Sequence, residues 1–283
     1  MSKIIVTGGA GFIGTNLIIE LLKLNHTIVS VDNYSIGTKD NHVKGVKYIN
    51  GDVCEIENLL ENNFDYCFHL AGLSRIQPSF DFPEETFSSN TKGVLKVLDW
   101  AKNSKTKIIY SGSSSKHHNP LNSPYATFKF LGEEICKLYR NAFNSNIEIV
   151  RFYNVYGPYE IIEGDWAALI GKWRGQVKNG KSLTIVGDGC QRRDFTHVDD
   201  IVDGLIKIAF NDYSNEDAWE LGTGINYSIN EVFELFKSKF KIKAEHVVNQ
   251  HGNYQETLRE TDDALTKLGW SPKDRLKDYI QNL

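Results

Sequence analysis

The sequence contains little that would bind nucleic acid or cross a membrane. Its 283 residues carry 32 lysines and arginines against 36 aspartates and glutamates, a net charge of −4, with no basic block. A clustered basic patch is the usual footprint of nucleic-acid binding, and a membrane span needs a run of about 18 apolar residues. The sequence has neither, and its start lacks the apolar stretch of a signal peptide. We therefore expect a cytoplasmic protein with no nucleic-acid or membrane partner.

Cysteine is also scarce. The four cysteines are Cys54, Cys67, Cys136 and Cys190, and none of them forms a C-x-x-C pair. Zinc sites and disulfide frameworks show closer and more regular spacing. We predict four buried free thiols in a reducing compartment, and no metal site.

Short apolar runs alternate with amphipathic stretches in the first half of the chain. The predicted strands cover residues 4–6, 28–31, 46–49, 66–70, 108–110 and 147–150. The predicted helices cover about 12–24, pass through 94–100, and begin again near 124. This order predicts an α/β fold with a Rossmann-type, doubly wound parallel sheet covered by helices on both faces. The less regular second half predicts a smaller C-terminal domain that is interwoven with the first.

A glycine-rich segment lies between the first predicted strand and the first predicted helix. Gly8, Gly11 and Gly14 stand at GxxGxxG spacing, with Phe12 and Ile13 at the helix start. Glycine lets the backbone turn sharply and approach a pyrophosphate, and the free N–H groups of a helix start favour an anion. The strand before the segment, the helix after it and an acid further on predict a dinucleotide site.

That acid is Asp32, at the end of the second predicted strand and next to Asn33. A carboxylate there accepts hydrogen bonds from both ribose hydroxyls of NAD and repels the 2′-phosphate of NADP, so we predict NAD. Asp52, followed by Val53, ends the third strand and is predicted to bond the adenine amino group. For both aspartates the alternative is an ordinary turn residue at a strand end.

Tyr125 and Lys129 stand four residues apart near a predicted helix start, downstream of Ser113 in a serine run. Oxidation of a carbinol carbon requires removal of the hydroxyl proton, and a tyrosine with a pKa of about 10 is a poor base at neutral pH. A lysine ammonium and a positive nicotinamide ring both favour the phenolate and lower that pKa. We predict Tyr125 as the general base and Ser113 as the holder of the substrate oxygen. The alternative is a helix-face tyrosine with a solvated lysine.

In combination and in order, these motifs resemble the extended short-chain dehydrogenase/reductase family, specifically its NAD-dependent nucleotide-sugar epimerases and dehydratases. The resemblance covers nearly the whole chain. The segments that carry it are residues 7–14, 32, 52, 69–72, 90–93, 111–115, 125–129, 151–158, 187–189, 193–200 and 268–270.

The resemblance implies roles for individual residues. Ser113, Tyr125 and Lys129 correspond to the catalytic serine, tyrosine and lysine of the family, and Lys129 also holds the nicotinamide ribose. The cofactor contacts expected from the motifs and the resemblance are Gly8, Gly11, Phe12, Ile13, Gly14, Asp32, Asn33, Asp52, Val53, Leu70, Ala71, Gly72, Asn90, Tyr125, Lys129 and Phe152. The expected substrate contacts are Ser114, Asn154 and Arg193.

Two of these substrate contacts, Asn154 and Arg193, correspond to family residues that grip the substrate diphosphate. A bidentate guanidinium suits a diphosphate better than an ammonium does. For Arg193 the alternative is a surface salt bridge with a nearby acid. Phe152 and Tyr153 correspond to residues that flank the nicotinamide.

One local difference separates branches of the family. The family's dehydratases carry Thr-Asp-Glu at the positions where this chain has Ser113-Ser114-Ser115. Elimination of water needs an acid and a base, which serines do not supply. The serine run instead resembles the 4-epimerases, isomerases that oxidise C4 of the sugar to a ketone and return hydride to its opposite face. The expected substrates are a UDP-hexose, a UDP-N-acetylhexosamine or a UDP-hexuronate. A 4-ketoreductase and a catalytically silent NAD-binding sensor remain as alternatives.

Two departures from the family pattern bear on the substrate. The segment from Ser113 to Tyr125 is shorter than usual and carries Lys116-His117-His118. His251 precedes Gly252 where the family often has an arginine on the diphosphate. The histidine at position 251 is expected to weaken the binding of the substrate diphosphate or to make that binding pH-dependent.

The resemblance also implies how the chain is divided and assembled. We place an NAD-binding domain in residues 1–157 and a nucleotide-sugar-binding domain in residues 158–283. A homodimer is expected, formed through the helices near residues 84–102 and 125–142.

Overall fold

The computed structural model describes all of residues 1–283. Its strands are β1 Lys3–Thr7, β2 Thr27–Asp32, β3 Lys47–Asn50, β4 Tyr66–His69, β5 Lys107–Ser113, β6 Ile147–Phe152, β7 Asn154–Tyr156, β8 Leu183–Val186, β9 Arg192–His197, β10 Trp219–Leu221, β11 Asn226–Ser228 and β12 Ala244–Val247. Its α-helices are α1 Phe12–Lys23, α2 Ile56–Leu59, α3 Ile76–Asp81, α4 Pro83–Phe87, α5 Gly93–Ala101, α6 Pro124–Phe143, α7 Leu169–Lys178, α8 Val198–Ala209, α9 Ile229–Phe240, α10 Asp263–Leu268 and α11 Leu276–Gln281.

Seven parallel strands form the central sheet, in the order β10-β6-β5-β4-β1-β2-β3. The six strands predicted for the first half of the chain are all present, and the predicted doubly wound α/β fold is confirmed. The strand order reverses direction between β1 and β4, and ligands bind at such a reversal, outside the carboxyl ends of the strands.

Two hydrophobic cores cover the two faces of this sheet. Alternate residues of β1 belong to different cores: Ile4 and Val6 pack with α1 and α8, whereas Ile5 packs with α5 and α6. This alternation follows from the two-residue period of a strand. Both faces are therefore apolar, and the sheet meets water only at its ends and edges.

The second half of the chain builds its own smaller core and also returns to the sheet. β7, β9 and β11 form one small sheet, and β8 pairs with β12. Trp173 and Phe236 are fully buried between α7, α9 and these strands. Helix α9 begins at a capping box, in which Ser228 and Glu231 exchange hydrogen bonds. The seventh strand of the central sheet, β10, comes from this half of the chain, so the two halves are interwoven.

The cysteine prediction is correct for three residues and wrong for the fourth. Cys54, Cys67 and Cys136 are buried free thiols, whereas Cys190 is exposed. Its N–H bonds the Asp188 carboxylate in a turn that also contains two glycines at positive φ. Such turns lie on the surface because their backbone groups need water. Among the helices, none has the length and apolar character needed to cross a bilayer.

Candidate active site

A cleft of about 690 Å³ opens at the carboxyl ends of the central strands. It extends from the glycine-rich turn after β1 to the small sheets of the second half. Every site residue expected from the sequence lines this cleft except Asn90. The chain therefore brings residues from opposite ends of the sequence into one site.

The three glycines after β1 are required for different reasons. Gly8 has a φ of +71°, and a Cβ there would lie 2.8 Å from the backbone nitrogen of Ala71. A Cβ on Gly14 would lie 2.3 Å from the carbonyl oxygen of Gly8. A Cβ on Gly11 would meet only that same oxygen, at 3.2 Å, and would otherwise project into the cleft. Gly8 and Gly14 thus shape the turn, and Gly11 leaves room for a ligand.

Helix α1 begins at this turn with unpaired donors. Its N-cap is Gly11, which supplies no side-chain cap. The N–H groups of Phe12, Ile13 and Gly14 donate to no group of the protein. Free N–H groups and the positive end of the helix dipole make this a site for the diphosphate of a dinucleotide.

Asp32 stands at the end of β2 and is almost completely buried. Its two carboxylate oxygens accept hydrogen bonds from the N–H groups of Ala10, at 2.9 Å, and Tyr34, at 2.8 Å. The side chain therefore stabilises the turn, as the alternative interpretation held. It also lines the cleft, and each carboxylate oxygen can accept a second bond, so the residue fits NAD as well.

Asp52 follows β3 and caps the short 3-10 turn Val53–Glu55. Its carboxylate accepts bonds from the N–H of Cys54, at 2.8 Å, and from the side-chain amide of Asn33, at 3.0 Å. Asn33 and Asp52 form a polar pair at the β2–β3 end of the cleft, and the apolar Val53 also lines it there.

The expected contact of Asn90 with the cofactor stays a prediction, although Asn90 is not among the residues that line the cleft. Its side chain is buried and exchanges two hydrogen bonds of 2.8 Å with the backbone N–H and C=O of Leu73. Those bonds fix the loop after β4, which carries Leu70, Ala71 and Gly72 along the cleft wall. Asn90 therefore shapes the site through the loop.

The tyrosine, the serine and the lysine expected to be catalytic meet at the carboxyl end of β5. Helix α6 begins at Pro124 with Ser123 as its N-cap, and Tyr125, in its first turn, lines the cleft. The Tyr125 hydroxyl donates to the Ser113 hydroxyl oxygen at 3.1 Å. The Lys129 ammonium, one helical turn further on, donates to the carbonyl oxygen of Ser111 at 2.9 Å.

The electrostatics of this group differ from the sequence-based expectation. Burial raises the pKa of Tyr125, and the hydrogen bond with Ser113 and the charge of Arg75 offset it only in part. Burial also lowers the pKa of Lys129 to about 8. Lys129 is not among the groups that shift the pKa of Tyr125, and desolvation of the phenolate dominates that shift.

The far end of the cleft carries Ser114, Asn154 and Arg193. The Arg193 guanidinium donates to the side-chain oxygen of Asn253 at 2.6 Å and to the backbone oxygen of Arg192 at 2.8 Å. No carboxylate pairs with it, so the surface salt-bridge alternative is wrong. Burial lowers its pKa to about 10. A desolvated cation without a counter-ion is suited to an anionic ligand.

Asn154 and the residues before it are held by the protein itself. The Asn154 amide donates to the backbone oxygen of Asp194 at 3.1 Å and to the Thr257 hydroxyl at 3.0 Å, and no protein donor bonds its side-chain oxygen. Phe152 lines the cleft. The Tyr153 hydroxyl is turned to Glu220, at 2.9 Å.

Both departures from the family pattern have a structural explanation. The short segment closes through 3-10 turns at Ser114–His117 and Pro120–Asn122. His117 bonds the buried Glu220, and that bond is the largest cause raising the pKa of the imidazole. His251 does not line the cleft: its ring packs on Phe80, 5.5 Å between centroids, so it neither replaces an arginine there nor makes the grip pH-dependent.

Three further residues line the cleft that sequence reasoning missed, namely Arg75, Glu160 and Tyr254. Glu160 bonds Arg174 through one oxygen at 2.9 Å, while its other oxygen is buried without a partner. Burial raises the pKa of Glu160 to about 7. None of the three lies in a motif, so no local signal in the sequence marks them.

The site and the sheet together define the class of this protein. Strands of this order, a glycine turn that opens a helix, and a serine–tyrosine pair at the same rim are the features of the extended short-chain dehydrogenases/reductases. The chain belongs to the NAD dependent epimerase/dehydratase family, which it matches over residues 4–222. It is an NAD-dependent enzyme, and the glycine turn and Asp32 described above fit that cofactor.

Individual relatives cover nearly the whole chain. It is 29% identical to a putative UDP-glucose 4-epimerase of Methanocaldococcus jannaschii, over 99% of this chain and 96% of the relative. The solved UDP-N-acetylglucosamine 4-epimerase of Methanobrevibacter ruminantium is 28% identical, with a TM-score of 0.90 over 99% of this chain and 96% of that one. A Bacillus cereus UDP-glucuronic acid 4-epimerase, solved with UDP-glucuronic acid and NAD, is 26% identical, with a TM-score of 0.85 over the same shares.

Proposed function

We propose that this protein is a 4-epimerase of UDP-linked sugars, acting on a UDP-hexose, a UDP-N-acetylhexosamine or a UDP-hexuronate. The observation that carries this proposal is the 3.1 Å contact between Tyr125 and Ser113, in the same cleft as the glycine turn. The relatives support it, since proteins named as UDP-sugar 4-epimerases match nearly the full length of the chain.

In this proposal Tyr125, Ser113 and Lys129 have separate tasks. NAD, when bound, supplies the hydride acceptor and donor. Tyr125 takes the proton of the sugar C4 hydroxyl as general base and returns it as general acid. Ser113 holds the same oxygen by a hydrogen bond. Lys129 orients the nicotinamide ribose and holds a positive charge beside the site.

The remaining contacts position the two ligands. Gly8, Gly11, Gly14 and the N-terminus of α1 receive the NAD diphosphate, while Asp32 receives the adenine ribose. Asn154 and Arg193 hold the substrate diphosphate, and Ser114 contacts the sugar. All of these residues line the same cleft.

The serine run favours epimerisation over elimination of water. Ser113, Ser114 and Ser115 follow β5, and Ser115 is buried. No carboxylate stands at that point to act as acid or base near C5 and C6 of the sugar. The 4-keto intermediate therefore keeps its C6 substituent, rotates, and is reduced on its other face.

A panel of nucleotide sugars tests the function directly. Protein purified without added cofactor is expected to carry NAD and to interconvert C4 epimers of one UDP-sugar, followed by chromatography with no dinucleotide added. UDP-, GDP- and dTDP-linked sugars form the panel. In a separate assay with added NADH and a nucleotide-linked 4-keto sugar, stoichiometric consumption of NADH would instead identify a ketoreductase. A lack of turnover in both assays would favour the silent sensor.

We further propose that the chain functions as a cytoplasmic homodimer, with residues 1–157 binding NAD and residues 158–283 binding the sugar nucleotide. Apolar side chains on the outer faces of α5 and α6 support the dimer. Leu95, Leu131 and Leu138 are 40, 37 and 55% exposed, and Leu131 and Leu138 lie two turns apart on one face of α6. Helix–helix contact with a second copy would bury this surface.

Substitution of one residue on that face tests the assembly. Leu138→Arg is expected to shift the protein from dimer to monomer in sedimentation velocity, because an arginine cannot be buried there without a partner. Leu121→Arg is the control, since Leu121 is 81% exposed and lies outside these helices. A wild-type protein that sediments as a monomer at micromolar concentration would contradict the proposed dimer.

A further inference from the structure

Arg75 is a cleft residue to which neither the motifs nor the family resemblance gives a role. It follows the loop after β4 and is the N-cap residue of α3. Its Nε donates to the backbone oxygen of Trp166 at 3.1 Å, which fixes the guanidinium against the opposite wall of the cleft. The two terminal nitrogens donate to no group of the protein, although the residue lines the cleft.

The charge of Arg75 has no counter-ion. No carboxylate lies within the 4.0 Å of an ion pair, and the nearby Glu160 is paired with Arg174 instead, at 2.9 Å. Burial lowers the pKa of Arg75, and only the more distant Tyr125 and Glu160 act in the opposite direction. Arginine is retained as a charged group even in such surroundings. The two terminal nitrogens of the Arg75 guanidinium are thus free to donate hydrogen bonds to a ligand in the cleft.

The position of Arg75 distinguishes it from the residue proposed to bind the substrate diphosphate. Arg75 precedes α3, and the Ser79 hydroxyl of that helix accepts the backbone N–H of Tyr125 at 3.1 Å, so Arg75 lines the cleft on the element that contacts the start of α6. Arg193 is instead held by Asn253, at 2.6 Å, in the second half of the chain. The diphosphate already has Arg193, so Arg75 is a surplus positive charge at the sugar end.

We propose that the guanidinium of Arg75 binds a carboxylate on the sugar, which makes the substrate a nucleotide-linked hexuronate. This inference rests on the proposed function. The terminal nitrogens of an arginine form two parallel hydrogen bonds with a carboxylate. Glu160 does not oppose such a ligand strongly, since its pKa of about 7 leaves it partly uncharged near neutrality. A neutral hexose offers nothing that neutralises Arg75.

Binding to an inactive, NAD-loaded enzyme tests this inference without turnover. Tyr125→Phe is compared with Tyr125→Phe/Arg75→Gln by titration calorimetry, using UDP-glucuronate and UDP-glucose. Glutamine retains a donor for the Trp166 oxygen. The second substitution is expected to weaken UDP-glucuronate binding by about 10- to 100-fold, as for a lost charge-assisted hydrogen bond, and UDP-glucose binding by less than about threefold. Arg75→Lys is expected to recover part of the loss, because it restores the charge without the fork.

Lys172→Gln in the Tyr125→Phe background is the matched control, because Lys172 is another cation that lines the cleft. It is expected to affect both ligands equally. If Arg75→Gln weakens the binding of both ligands equally, the residue binds the diphosphate and the inference is wrong. If neither ligand binds before Arg75 is changed, the inference also fails. The sugar panel distinguishes a failure of this inference from a failure of the proposed function. Epimerisation of neutral sugars alone would contradict a hexuronate substrate but would still support a 4-epimerase.

Discussion

Replacement of Tyr125 by phenylalanine is expected to lower kcat by about 10²- to 10⁴-fold, the usual contribution of a positioned general base. The substitution removes one oxygen, the atom that donates to Ser113 at 3.1 Å, and leaves the ring in place. Affinity for NAD should change little, because the glycine turn and Asp32 supply most of the proposed contacts. Steady-state kinetics and the NAD content of the purified protein measure the two effects.

Tyr213→Phe provides the matched control. Tyr213 is 57% exposed in the loop after α8, away from the cleft, and its loss should leave kcat within about twofold of the wild-type value, as is usual for a surface substitution. Near-normal turnover by the Tyr125→Phe enzyme would show that another group removes the proton, and the mechanism proposed above would have to be abandoned.

The second large effect concerns a charge buried behind the active site. The Arg151 side chain is 2% exposed and lies 2.8 Å from Glu133 and 2.7 Å from Asp217. Glu133 is itself fully buried, and no other cation pairs with it. Arg151→Met is expected to lower the free energy of unfolding by about 3–5 kcal/mol, since removal of one partner leaves a buried carboxylate uncompensated. Urea denaturation followed by circular dichroism measures this loss.

The same substitution should also disturb the site. A Glu133 oxygen accepts the backbone N–H of Ser113 at 3.1 Å, so a displaced Glu133 loosens the strand end that carries the serine. Arg192→Met is the control, because Arg192 pairs with the exposed Glu231 at 3.1 Å, and surface pairs contribute about 0–1 kcal/mol. Equal stability losses in the two variants would contradict the role assigned to the buried pair.

The features that the sequence predicted well are those encoded by neighbouring residues. The glycine spacing at Gly8, Gly11 and Gly14 and the helix start near residue 124 depend on turns and helix starts a few residues long. Local steric rules and hydrogen-bond rules decide such features. The six strands of the first half were found for the same reason, because buried strands are continuous apolar runs.

The sequence did not reveal contacts whose partners lie far along the chain. Asn90 bonds Leu73, a pairing that its own neighbours do not indicate. The strand β10 has only three residues and is defined by its pairing with β6. His251 stands in the position of a family arginine, yet its ring packs on Phe80.

The sequence by itself determined six of the seven strands of the central sheet and the glycine turn after β1, because each is set by periodicity or by spacing within a short stretch of chain. Only the tertiary structure decided the electrostatics of the cleft. Burial, which depends on the whole fold, raises the pKa of Tyr125 and leaves Arg75 without a counter-ion. The cost of desolvating a charge is a property of the surrounding packing, and no short stretch of sequence records it.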